Sequence, residues 1–150
     1  MDDALRDRPG FLIRRLHQIH LALFAEECAR FGVTPVQFSI MTVADVKPGL
    51  EQVALAQEVG VDRTTLTNVL TRLEQRGLVA RAAAADRRVK RVSLTVEGRA
   101  TLNRMTGAAE RAHARTVEAL PKGEREVFLV ALRALVNAGN EYGRAPMRLA

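Results

Sequence analysis

The chain has 150 residues, 47% of them apolar, a net charge of +6 and one cysteine. One domain of this length can bury its own core. A single Cys28 excludes an intrachain disulfide and suits a reducing cytosol. No apolar run approaches the roughly 20 residues that a membrane span needs. The acidic start, Met1-Asp2-Asp3-Ala4, lacks the positive head of a signal peptide. A cytoplasmic protein with no membrane partner is expected. The charge is unevenly spread. Between Asp62 and Arg91 there are eight Lys/Arg against three Asp/Glu, while Met1 to Val33 carries five of each. A polyanion suits such a patch; a solvated charged face is the plainer alternative.

In chain order, the first helix is expected from about Gly10 to Arg30, with Leu12, Leu16, Ile19 and Leu23 in one apolar stripe. Thr34-Pro35-Val36-Gln37 reads as a second helix start. Thr34 caps, Pro35 suits the first turn and Gln37 completes a capping box. That helix carries Phe38, Ile40, Met41 and Val43 and stops before Lys47-Pro48-Gly49. A third helix, about Glu51 to Glu58, is expected to turn Val53, Leu55, Ala56 and Val59 inward, and Gly60 makes the turn that follows. Asp62 caps a fourth helix reaching about Arg76, whose Leu66, Val69, Leu70 and Leu73 form a buried stripe. Leu78 to Arg81 and Lys90 to Leu94 read as two short strands around a loop. Thr95 caps a long helix from about Val96 to Ala119, and Leu120-Pro121-Lys122-Gly123 breaks it. The last helix is expected to turn Val127, Phe128, Leu132, Leu135 and Val136 inward, and Gly143-Arg144-Ala145-Pro146 to fray.

The fourth helix and the hairpin after it carry the functional signal. Opposite the buried stripe lie Thr64, Thr67, Asn68, Thr71, Arg72 and Gln75. Asn and Gln can grip adenine, Arg can grip guanine, and Thr can bond a base or touch a thymine methyl. A merely solvated helix would favour Glu and Lys there. Threonines at 64, 65, 67 and 71 also lower helix propensity without an evident folding benefit. In the loop, Asp86 sits beside Arg87 and Arg88. An arginine at a hairpin tip fits a narrow minor groove, and a buried or half-buried Asp86 would hold it extended. The plainer reading is that Asp86 and Arg88 only stiffen the turn. Arg63 opens the helix, and Arg81, Lys90 and Arg91 read as phosphate contacts or exposed strand residues.

At these residues the sequence resembles the MarR family of winged helix-turn-helix regulators. The resemblance rests on Val61-Asp62-Arg63-Thr64-Thr65, on Leu73-Glu74-Gln75-Arg76-Gly77-Leu78-Val79, and on Asp86-Arg87-Arg88 followed by Leu94-Thr95 and Gly98. It implies a mainly α fold with a small β-hairpin wing and a homodimer joined through the N- and C-terminal helices. Residues 1–33 and 120–150 would dimerise, 34–95 would bind double-stranded DNA, and 96–119 would connect them. It also implies recognition contacts from Arg63, Thr64, Thr65, Thr67, Asn68, Thr71 and Arg72, with a wing of Asp86, Arg87, Arg88 and Lys90. The wing tip departs from the family, with Ala82 to Ala85 where polar residues or proline are usual. Apolar residues at both ends of the chain, such as Leu5, Phe11, Ile13 and Leu21 with Phe128, Val130, Leu132 and Val136, argue independently for a partner surface.

Many family members answer to a small molecule held between the first, second and fifth helices. Arg15-Leu16-His17-Gln18-Ile19-His20, Glu26-Glu27-Cys28 and the segment from Gly32 to Phe38 are similar to regulators of aromatic-acid breakdown. The expected effector is an aromatic acid or its coenzyme A thioester, met by Arg14, Arg15, His17, His20, Phe38 and Met41. Surface arginines and ordinary core residues are the equal alternative. His17 and His20, without a clear third ligand, make a poor zinc site, and no cofactor is expected. Cys28 lies far from where the peroxide-sensing branch places its reactive thiol, so a structural thiol is expected over a redox switch. No phosphate loop, nucleophile elbow or metal cluster marks an enzyme. The adjacent Glu26 and Glu27 are expected to point apart. The expected function is a ligand-released repressor on a pseudopalindromic operator. The alternatives are a winged-helix module that binds protein, and a Cys28 redox sensor.

Overall fold

The computed structural model describes residues 3–147. A single turn, α1 (Asp3–Arg6), leads into α2 (Pro9–Cys28) and a short 3-10 turn, Ala29–Phe31. Then come α3 (Pro35–Val46), β1 (Leu50–Glu51), α4 (Gln52–Val59) and α5 (Arg63–Gln75). The hairpin β2 (Val79–Ala83) and β3 (Lys90–Leu94) precedes the long α6 (Val96–Val117) and α7 (Lys122–Gly139). The strands form one antiparallel sheet in the order β1-β3-β2, with Val92 of β3 facing Leu50 on one side and Arg81 on the other.

Local chemistry sets the boundaries. Thr34 accepts from the Gln37 N–H at 3.2 Å while the Gln37 side chain accepts from the Thr34 N–H at 3.0 Å, a complete capping box. Asp62 and Thr95 cap α5 and α6 by the same logic. Gly60 turns the chain between α4 and α5 at φ 69°, a left-handed conformation that a Cβ disfavours. Gly98 is fixed by contact instead: a Cβ there would collide with the Leu78 carbonyl oxygen, so the start of α6 can sit directly on the turn between α5 and β2.

The core gathers Phe24 and Cys28 of α2, Ile40 and Met41 of α3, Leu55 of α4, Leu66, Leu70 and Leu73 of α5, and Met105, Ala109 and Ala112 of α6. The small alanines of α6 let α2 lie close along it. Arg115 binds both Glu27 (3.1 Å) and Glu26 (3.3 Å), and Arg111 adds a second bond to Glu27 (3.1 Å). The two carboxylates therefore meet at one guanidinium instead of pointing apart, because the long Arg115 side chain bridges adjacent positions of the neighbouring helix. The Arg111 bond, ahead of Arg115, holds the Glu27 carboxyl below the usual carboxylate range.

Several expectations are corrected. Strand β1 was not foreseen; two residues carry no periodicity, and only pairing with β3 defines it. Val53 is exposed instead of turned inward, and α4 buries only Leu55 and Ala56. No residue of α7 is buried: Val127, Leu135 and Val136 are exposed and Phe128 and Leu132 half-buried. A single chain offers that helix no core on its outer face. On α2, likewise, Leu12 and Ile19 of the expected stripe are exposed, and the buried contacts come from Phe24 and Cys28. The segment after Gly143 does not fray within the described residues, since Asn140 bonds both the N–H and the carbonyl of Met147.

Candidate nucleic-acid interface

α5 is the polar ridge. Leu66, Leu70 and Leu73 anchor its inner side, and Arg63, Thr64, Thr65, Thr67, Asn68, Arg72 and Gln75 are exposed, with Thr71 half-buried. The Asp62 carboxylate accepts from the Thr65 N–H (2.8 Å) and from the Thr65 hydroxyl (2.8 Å), which together hold its pKa below the usual range. Thr65 thus serves the helix start. Thr67 and Thr71 each donate to the carbonyl four residues back, at 2.9 Å. Their oxygens accept in turn from Gln52 (2.9 Å) and Arg81 (3.2 Å). With the hydroxyl protons given to those carbonyls, these two threonines have left for a base their methyl groups and one acceptor lone pair each. Asn68 and Thr64 make no side-chain hydrogen bond among the described residues.

Arg81 is not a loose strand cation. It bonds Glu74 at 3.1 Å as well as Thr71, bracing β2 against α5 and drawing the Glu74 carboxyl down. Arg91 likewise bonds the Gly49 carbonyl (3.1 Å) and pairs with Glu51 (3.5 Å). Among the described residues Arg87 and Lys90 have no ion pair and Arg88 pairs with Asp86, and all three are exposed. Asp86 accepts from the Arg88 N–H at 3.1 Å and lies 3.5 Å from its guanidinium. The pairing expected of Asp86 is present, but its carboxylate is 56% exposed instead of buried. The alanine tip has no apolar body to cover it. Between wing and helix lies a cleft of about 230 Å³ walled by Gln52, Val53, Arg63, Thr67, Arg88 and Lys90. A polar helix ridge, a cationic hairpin and the cleft joining them make one continuous face suited to a groove and its phosphates.

Residues 33–90, which include this face, match the model of the MarR family. The transcriptional regulator HosA of Escherichia coli is 34% identical over 89% of this chain and 98% of its own. The chain belongs to the MarR family. Among solved structures, the transcriptional repressor CouR bound to a 23-mer DNA duplex aligns with a TM-score of 0.81 and 32% identity, over 88% of this chain and 94% of that one. CouR of Rhodococcus jostii is also solved with p-coumaroyl-CoA, at a TM-score of 0.74 and 26% identity over 87% and 93% of the two chains. The PcaV regulator of Streptomyces coelicolor, in complex with its natural ligand, aligns with a TM-score of 0.79 and 29% identity over 90% and 96%. As a MarR-family member the chain is a DNA-binding transcriptional regulator and not an enzyme.

A second candidate site lies away from the α5 face. A cavity of about 530 Å³ opens between α2, α6 and α7, with Leu16, His17, His20, His113, Phe128 and Leu132 on its walls. His20 and His113 stack with ring centroids 4.9 Å apart, although 93 positions separate them in sequence. The Thr116 hydroxyl donates to the Ala112 carbonyl (2.8 Å), so its oxygen accepts from His20 Nδ1 at 2.9 Å. That places the hydrogen of a neutral His20 on Nδ1 and leaves Nε2 as an acceptor. Burial, then the charges of His113 and His17, lowers the His20 pKa.

Of the candidate effector residues, His17 and His20 line this cavity. Arg14 stacks on the Phe11 ring at 5.3 Å and Arg15 bonds Gln18 at 2.6 Å, both at the surface. Phe38 packs against Phe24 with centroids 6.0 Å apart, and Met41 is fully buried. Three residues were missed. His113 and Thr116 lie on another helix, and only the packing of α6 on α2 brings them in. Gln52 sits before the turn, with no signal of its own until it reaches Thr67. Cys28 is buried, and burial pushes its thiol pKa up. A reactive sensing thiol needs the opposite shift and access to solvent.

Proposed function

We infer that this protein is a ligand-responsive repressor. It binds a pseudopalindromic operator as a homodimer through the α5 ridge and the Arg88 wing, and a small aromatic acid or its CoA thioester releases it. The DNA contacts on this reading are Arg63, Thr64, Thr67, Asn68, Thr71 and Arg72 in the major groove, with Arg87, Arg88 and Lys90 toward phosphates and the minor groove. Thr65 and Asp86 position their neighbours. CouR and PcaV, solved with DNA, an aromatic thioester and a natural ligand, are similar over nearly the whole chain and support it. A cytoplasmic location goes with this role, and no described helix is long and apolar enough to cross a membrane.

The observation that carries the effector reading is the histidine-lined cavity. Its volume falls in the range of small-molecule sites, and its walls are apolar apart from imidazoles and Thr116. A carboxylate entering it would favour protonation of His17 or His20 and so receive its own counter-charge. A thioester carries no such charge at the acyl end, so its ring would rest on the apolar wall with the coenzyme outside. Release then follows if the ligand prefers a spacing of α2, α6 and α7 that DNA does not.

The test is a mobility shift on the promoter region of the protein's own gene, titrated with hydroxybenzoates, hydroxycinnamates and their CoA thioesters. At least one should free the DNA at micromolar to millimolar concentration, and His20→Ala should blunt that response while leaving DNA affinity intact. Binding that no aromatic acid or thioester disturbs would remove the effector class.

A further inference from the structure

The C-terminal tail is built onto the DNA-binding unit, not left loose. The Asn140 side chain donates to the Met147 carbonyl at 2.8 Å and accepts from the Met147 N–H at 2.9 Å. This two-bond clamp closes the tail into a loop. The Met147 side chain packs directly against Gly60, at the turn between α4 and α5, and would have to move to admit a side chain there. Arg144, Ala145 and Pro146 form one wall of a cleft of about 260 Å³, and Gln57, Val61, Asp62 and Arg63 stand on the other side. Arg63 also walls the cleft against the wing, together with Arg88 and Lys90. One residue at the start of the recognition helix therefore joins two cationic surfaces, the hairpin on one side and the tail on the other.

We propose that Arg144 is a further DNA-backbone contact, held beside the start of α5 by the Asn140–Met147 clamp. The proposal rests on the DNA-binding reading of the α5 face. Arg144 is exposed and extends the cations Lys90, Arg88 and Arg63 past the edge of the winged unit. A phosphate is the ligand that such a row recognises, because surface arginines spaced along a groove edge carry charge and no base code. Among the described residues, the only acidic side chain lining that cleft is Asp62, whose two oxygens each already accept from Thr65. The charge of Arg144 favours the ionised form of Asp62 as a lesser influence, which places the two groups within electrostatic reach. The guanidinium thus has donors to spare for a phosphate.

The experiment is the salt dependence of binding, by fluorescence anisotropy on a labelled duplex of the operator region and on a random duplex, for the full-length dimer. Replacing Arg144 by Gln should weaken both duplexes to the same factor and make the dependence of log affinity on log salt shallower by about 1.8, the value for two lost phosphate contacts, one from each copy in the dimer. Arg144→Lys should keep the slope. Asn140→Ala, which frees the tail, should reproduce the Arg144→Gln slope, and the double variant should lose nothing more. Thermal melting of each variant separates a lost contact from a lost fold. A wild-type protein that binds while Arg144→Gln keeps its slope overturns the proposal alone and leaves Arg144 as a partner of Asp62. A wild-type protein that retards no duplex at low salt overturns the DNA-binding reading, and this one with it.

Discussion

On the α5 ridge, side chains of similar polarity have different freedom. The hydroxyls of Thr65, Thr67 and Thr71 are spent on the Asp62 cap, on backbone carbonyls, and on Gln52 and Arg81. Asn68 carries both a donor and an acceptor and is free of internal bonds among the described residues. Like the exposed Arg72 and Gln75, it can read a base through two hydrogen bonds. Asn68→Ala should cost about 1–3 kcal/mol on the operator and relax sequence choice at one position, measured against single-base operator variants. Equal weakening on every variant would make Asn68 a phosphate contact. Arg88 differs again, being 93% exposed with only Asp86 beside it. Arg88→Ala should therefore leave the melting temperature unchanged while operator affinity falls. An unchanged affinity at fixed salt would take the wing arginine out of the mechanism.

Between elements, one connection from α5 to the helical frame runs through Arg76 at the end of α5. Its guanidinium donates to the Gly32 carbonyl (2.7 Å) and the Phe31 carbonyl (2.8 Å), where the chain leaves α2. Those carbonyls sit past a helix end and lack intrahelical donors. The bonds thus cap one helix with a residue from another and tie the recognition helix to the helix bearing His17 and His20. Arg76→Ala should lower stability by about 1 kcal/mol in urea unfolding, because the site is open to water, which replaces part of each bond. Its larger effect should fall on release by effector, since a shift of α2 would no longer be passed to α5. A variant with wild-type effector response would show that the close fit of Gly98 on Leu78 carries the coupling instead.

For the whole molecule, the proposed dimer rests on the outer faces of α2 and α7. Leu12, Ile13, Ile19 and Leu21 on one helix and Val127, Val130, Leu135 and Val136 on the other are exposed in the single chain. Apolar area of this extent along two whole helices marks a partner surface. On the proposed function the partner is a second copy, which would let two α5 ridges meet two half-sites about one helical turn apart. Leu135→Glu should shift sedimentation from dimer to monomer and weaken operator binding far more than random-duplex binding. A wild-type protein that sediments as a monomer at micromolar concentration would end the two-half-site description.

Much of this was legible in the chain as written. Thr34 with Gln37, Asp62 and Thr95 announce helix starts through short-range hydrogen bonds, and Leu66, Leu70 and Leu73 announce a buried face through spacing, so α3, α5 and α6 follow from local physics. The polar ridge of α5 and the Asp86-Arg88 wing were visible for the same reason. What residues on different elements do to each other was not. Only packing stacks His113 on His20, turns Arg81 and Arg91 from phosphate candidates into braces, pairs β1 with β3, and seats the tail on Gly60. The apolar stripe of α7 shows the limit plainly: periodicity states that a face will be covered, but whether the cover is the chain's own core or another molecule depends on what three-dimensional space leaves beside it.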